Sequence, residues 1–173
     1  MALILVPEDG SGLQNANSLI SYANAVAYYE RVPPTWAHAI KWAAAIQATR
    51  ELYLVKAADL ILSDVRFSGY RKTTTQRLPF PRTGIYIDGI YVPDTSVPEM
   101  VQFANAEFAG QLMVSDRTAD PGTAGIERLK VDVIELVFDK ADRVSEFPDS
   151  VMKMLAPYGS LSGSGPEALL ERW

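Results

Sequence analysis

The chain has 173 residues, 48% hydrophobic and 21% charged, a globular composition long enough for one domain with a sizeable core. It has no cysteine, which excludes a disulfide framework and a thiolate metal site. The net charge of -5 disfavours a dedicated DNA binder, since phosphate affinity comes from Lys and Arg displacing counterions, but suits a channel through which DNA slides without sticking.

Residues 3–6 have the composition of a short strand. The opening apolar run has no basic flank and is too short for a signal-peptide core. No window approaches the roughly 18–20 apolar residues of a membrane span, so synthesis in the cytoplasm and no membrane partner are expected. After a Gly, Asn and Ser-rich loop, Ser21 is positioned to cap a helix running to about Arg31, with Tyr22, Val26 and Tyr29 on one face and Pro33-Pro34 ending it. Residues 35–65 lack Gly and Pro. Ile40, Ala44, Leu52, Val55, Asp59 and Leu62 follow helical spacing there, which predicts one long helix or two meeting near Thr49.

Residues 67–84 read as an extended loop, because Gly69, Pro79, Pro81 and a Thr run interrupt any ladder. Alternation over 85–92 around Asp88-Gly89 predicts a small hairpin. Pro98 opens a helix with the stripe Val101, Ala104, Phe108 and Leu112, ending near Val114. Residues 126–138 have strand composition on both sides of Asp132, which predicts a second hairpin. Pro148 opens a short last helix burying Val151, Met152 and Leu155 and stopped by Pro157. The expected class is mainly α with a small β component: about four helices over 1–158 with a protruding hairpin near 126–138. A Gly/Ser-rich linker and C-terminal tail follow over 159–173.

Catalytic residue types are scarce. His38 is the single histidine, so no two-imidazole metal site forms and no Ser-His-Asp set exists except through it; its expected role is packing or helix surface. Gly10-Ser11-Gly12 lacks the Lys of a phosphate-binding loop and reads as a turn. Glu8 with Asp9, and Asp139 with Asp142, read as solvated charge. No enzyme, cofactor or metal site is expected.

Two segments stand out. Arg66, Arg71, Lys72, Arg77 and Arg82 fall in an acid-free stretch interleaved with Phe67, Tyr70 and Phe80. That pattern suits a stacking surface for single-stranded nucleic acid or, as the favoured reading, a loop that pairs with acidic surface on a neighbouring subunit. At the chain end, Leu169, Leu170 and Trp173 follow a flexible linker and can dock into a partner groove or fold back on their own domain.

Four segments carry a resemblance: EDGSGLQNANSLIS at 8–21, KAADLILSDVRFSGYRKTTTQRLPFPRTG at 56–84, IERLKVDVIELVF at 126–138 and FPDSVMKMLAPYGSL at 147–161. Together they resemble the tailed-bacteriophage head-tail connector (adaptor) family, often labelled DnaT-like single-stranded DNA-binding protein. Phe80 and Asp132 depart from it, standing where Trp and Gly are more usual. The resemblance implies a non-enzymatic virion subunit forming a ring with itself, twelve-fold, under the portal protein. Such a ring would extend the channel for passing double-stranded DNA without binding it specifically, and would dock the stopper or tail protein. The tail residues would anchor on the portal. The alternative takes the label literally: a single-stranded DNA-binding protein of phage replication that uses the basic loop 66–82.

Overall fold

The structure, a computed structural model, describes residues 3–117, 128–131, 134–137 and 147–161. Among them are five helices and four two-stranded antiparallel pairs, the α+β class expected from the sequence.

Ser21 caps α1 (Tyr22–Glu30), its hydroxyl accepting the Asn24 N–H at 3.2 Å and so satisfying one donor that the helix start leaves open. The buried face of α1 is Ala25, Tyr28 and Tyr29, displaced from the expected Tyr22, Val26 and Tyr29. The next segment is two helices, α2 (Ala37–Ala44) and α3 (Gln47–Asp64), with Ala45 and Ile46 extended between them. Arg50 makes this break tenable. Its Nε donates to the Trp42 carbonyl at 2.8 Å and a terminal nitrogen donates to the Ala43 carbonyl at 3.0 Å, satisfying oxygens that the end of α2 exposes. The guanidinium also lies 5.4 Å from the centre of the Trp42 ring. The break shifts the helical phase and corrects the expected stripe. Ile40 and Leu52 are exposed, and α3 buries Leu54, Ala57, Ala58, Leu60 and Ile61 instead.

The centre of the fold is α4 (Glu99–Val114), against which α1, α2, α3 and α5 (Asp149–Leu155) all pack. Its stripe of Val101, Ala104, Phe108 and Leu112 is buried as expected, together with Asn105, Ala106, Glu107, Ala109 and Gly110. A helix enclosed this fully must satisfy its polar members internally. Asn105 does so by accepting the Leu19 N–H at 2.9 Å and the Ser18 hydroxyl at 3.2 Å while donating to the Leu54 carbonyl at 3.0 Å. Gly110 makes room for Tyr29, whose hydroxyl oxygen would sit 1.9 Å from a Cβ at that position.

β1 (Val65–Phe67) pairs with β8 (Gly159–Leu161), so the residues placed by sequence at the start of the linker form a strand. A Cβ on Gly159 would meet the Arg66 carbonyl oxygen at 2.4 Å, which explains the glycine. The expected loop over 67–84 contains β2 (Tyr70–Arg71) paired with β3 (Arg82–Thr83). β4 (Tyr86–Ile87) and β5 (Ile90–Tyr91) form the expected hairpin, with Asp88 and Gly89 at φ 51° and 79°, as a primed turn requires. β6 (Arg128–Val131) and β7 (Ile134–Val137) pair in register from Arg128 opposite Val137 to Val131 opposite Ile134, within the expected hairpin. Residues 3–6 form no strand. Asn17 holds them, accepting the Val6 N–H at 2.7 Å and donating to the Ile4 carbonyl at 2.8 Å. Asp132, Asp139, Asp142 and the tail residues Leu169, Leu170 and Trp173 lie outside the described residues.

Candidate nucleic-acid interface

Between Asp64 and Asp88 the chain carries five cations and no acidic residue. This stretch rests on the N-terminal loop, and that loop is organised around Glu8. Far from being solvated charge, Glu8 is buried, and its carboxylate accepts the N–H groups of Gly10 at 3.0 Å, Gly12 at 2.9 Å and Leu13 at 2.9 Å. The carbonyls of the same loop point at the basic segment. Gly10 accepts from Lys72 Nζ at 3.1 Å, Leu13 from the Arg77 N–H at 3.2 Å and Ala16 from the Arg77 guanidinium at 3.1 Å. Buried Gln76 then fixes the bend by accepting the Thr73 N–H at 2.9 Å and donating to the Leu78 and Pro81 carbonyls.

The five cations do different work. Arg82 is a structural clip: its Nε donates to Ser68, one terminal nitrogen to Pro79 and the other to Phe67 and Gly69, all carbonyls at 2.6–3.2 Å. Four of its five N–H donors are thereby committed. Burial, and then Arg71 facing it across the β2–β3 pair, hold its pKa below the usual arginine value. Arg77 is neutralised by Asp59 at 2.7 Å. Arg71 donates to the Gln76 carbonyl at 3.3 Å and Lys72 to Gly10; both are exposed, and these oxygen partners leave their charge uncompensated. Arg66 is exposed on β1 and has contacts of its own.

The aromatic residues divide similarly. Phe80 is buried and packs edge-on against Phe67 at 5.0 Å and Tyr158 at 6.0 Å, so it belongs to the core and offers no stacking face. Tyr70 is 78% exposed. Two further tyrosines, which the sequence reading passed over, stand on the next hairpin: Tyr86 at 66% and Tyr91 at 42% exposure, paired across the strands with ring centres 5.5 Å apart. Their signal was the aromatic content of 85–92, read only as hairpin alternation. Tyr70 and Arg71 lie on β2 with Lys72 directly after it, and Tyr86 and Tyr91 lie on the strand pair that follows through Gly84 and Ile85.

The family described as "Putative DnaT-like ssDNA binding protein" matches residues 1–172. The chain belongs to this family. No curated protein and no solved structure matches it. The family's description concerns single-stranded DNA, and no head-tail protein accompanies it. That finding overturns the adaptor reading with its twelve-fold ring, portal, stopper and tail partners, virion-neck role and nonspecific passage of double-stranded DNA. The physical premise also shifts. Net acidity argued against a DNA-binding member, yet the acid-free segment keeps Arg71 and Lys72 exposed beside Tyr70.

A second polar cluster lies inside the bundle. Glu107 is buried and accepts from the Tyr28 hydroxyl at 2.8 Å, Gln111 at 3.0 Å and the Ser150 hydroxyl at 3.1 Å. His38, also buried, brings Nε2 within 3.2 Å of the same carboxylate without hydrogen-bond geometry. Ser150 donates to Glu107 and not to His38, so the nucleophile-to-base contact of a hydrolytic triad is not made. The cluster ties α1, α2, α4 and α5 together.

Proposed function

We propose that the protein binds single-stranded DNA on the surface formed by its two consecutive hairpins, with Tyr70, Tyr86 and Tyr91 stacking on bases and Arg71 and Lys72 contacting phosphates. The observation that carries this reading is the exposure of three tyrosines in and beside an acid-free basic stretch. Stacking tolerates any base because every base has a π-face, and it needs bases that are already unstacked. A single strand is therefore preferred over the duplex. The family description supports the same ligand class.

The test is anisotropy of a labelled oligothymidylate titrated with protein across salt. Each phosphate contact contributes about -0.7 to the slope of log K against log salt for single strands. With Arg71 and Lys72 alone the slope is about -1.4, a loss of about 7-fold between about 50 and 200 mM salt; all five cations would give about -3.5 and a loss of about 130-fold. Tyr70→Ala and Tyr86→Ala should each weaken binding by about 5- to 150-fold, from about 1–3 kcal/mol per stacked base. Absence of binding at about 20 mM salt, where phosphate contacts are strongest, would end this reading.

A further inference from the structure

We propose that Glu8 is a positioning residue for single-strand binding: its buried carboxylate shapes the loop whose carbonyls hold Lys72 in place to meet a phosphate. This rests on the single-strand reading above. A carboxylate with its charge buried needs several donors, and Glu8 has three backbone N–H groups at 2.9–3.0 Å. Taking those donors forces the loop to wrap around the side chain. Gly10 and Gly12 accordingly adopt φ of 96° and 85°, a conformation favourable to glycine.

The wrap has a definite output. With its N–H turned inward to Glu8, Gly10 presents its carbonyl to Lys72 Nζ at 3.1 Å. An ammonium has three donors, so one fixes the side chain on the loop and two remain for a phosphate oxygen. The fit on both sides of the loop is close. A Cβ on Gly10 would meet the Thr95 carbonyl oxygen at 2.0 Å, and one on Gly12 would meet Thr73 Oγ1 at 2.9 Å and its methyl at 3.1 Å. The loop therefore cannot shift without moving residues 72 and 73. Glu8 need not touch the nucleic acid: it determines where Lys72 is held.

The test is a double-mutant cycle on the full chain, read as the salt slope of oligothymidylate binding. Lys72→Met should make the slope shallower by about 0.7, the share of one phosphate contact. Glu8→Gln, which replaces one accepting oxygen by a donor, should produce the same change, and Lys72→Met added to it should produce no further change. Ser11→Ala, which touches only the exposed Asp9 turn, should leave the slope as in the wild type. A loss of fold would lower the bound fraction without this pattern, so Gly12→Ala provides an independent arm. It keeps Glu8 but pushes Thr73 off the loop, and should flatten the slope equally. Additive effects of Glu8→Gln and Lys72→Met, or a wild-type slope in folded Glu8→Gln or Gly12→Ala protein, would overturn the positioning role while single-strand binding stands. A wild-type protein that binds no oligothymidylate would overturn both.

Discussion

Arg82 and Lys72 lie ten positions apart in one basic stretch, and their surroundings differ in a way that a paired substitution separates. Arg82→Met removes four hydrogen bonds to carbonyls at 2.6–3.2 Å. Bonds to a charged donor are worth about 1.5–3 kcal/mol each when fully realised. The guanidinium is only partly buried and faces Arg71, so water and relief of repulsion return much of that. A net loss of about 2–4 kcal/mol is expected. In a chain of this length that lowers Tm by about 4–16 °C. Lys72→Met removes one part-buried bond and should cost about 1 kcal/mol or less. The assay is thermal unfolding by circular dichroism together with the salt slope of binding, measured where both variants are folded. Arg82→Met should move Tm and leave the slope alone, whereas Lys72→Met should move the slope by about 0.7 and barely move Tm. If Arg82→Met left Tm within about 1 °C of wild type and flattened the slope, Arg82 would be a phosphate ligand and the clip assignment would be wrong.

Asn105→Ala should lower the urea-unfolding free energy by about 2–4 kcal/mol, because the buried Leu19 N–H and Leu54 carbonyl lose their partner together. Gly-to-Ala changes inside helices ordinarily gain up to about 1 kcal/mol. Gly110→Ala should instead destabilise by about 1–3 kcal/mol, since the new methyl displaces Tyr29 from its 3.0 Å bond to the Ala106 carbonyl. Burial first, and then the charge of Glu107, push the Tyr28 pKa above the ordinary tyrosine value of 10.0. A folded pKa above the unfolded one gives stability that is fully present below about pH 10 and is lost as pH rises beyond it. The urea midpoint should therefore fall on that alkaline side, and fall less steeply in Tyr28→Phe.

The helices were legible wherever a local residue sets a boundary or a face. Ser21 starts α1, Pro98 and Pro148 precede α4 and α5, and the α4 stripe is buried as its spacing requires. Where the cause is remote, the reading failed. Over residues 35–65 the alternative of two helices meeting near Thr49 holds, but the break lies at Ala45 and Ile46, where Arg50 from the following helix takes the carbonyls that the end of α2 exposes. Pairing of Val65–Phe67 with Gly159–Leu161 spans most of the chain, and Gly159 itself is explained by its close approach to the Arg66 carbonyl. The site was half legible. Its position showed in the absence of acid between Asp64 and Asp88. The division of labour did not, because Arg77 meets an Asp from α3 and Lys72 meets a carbonyl of the N-terminal loop. Glu8 was misread for the same reason: its partners are backbone N–H groups, which no side-chain pattern reveals.

The charge balance of the whole chain makes a last demand on binding. Of 16 cations, five lie between Asp64 and Asp88, leaving 11 against 21 acidic residues elsewhere. The segment is thus +5 within a remainder of 11 - 21 = -10. Local phosphate contacts strengthen as salt falls, but the reach of the acidic remainder also grows, from about 10 Å at 0.1 M salt to about 30 Å at 0.01 M. Below about 20 mM salt repulsion from the acidic surface should oppose further tightening, so the plot of log K against log salt should bend toward the horizontal. Replacing exposed Glu30 and Glu99 with Gln should raise affinity near 10 mM salt and change it far less near 200 mM, where the screening length is short. A straight plot, with equal affinity of the double variant and wild type at low salt, would mean that the acidic remainder plays no part.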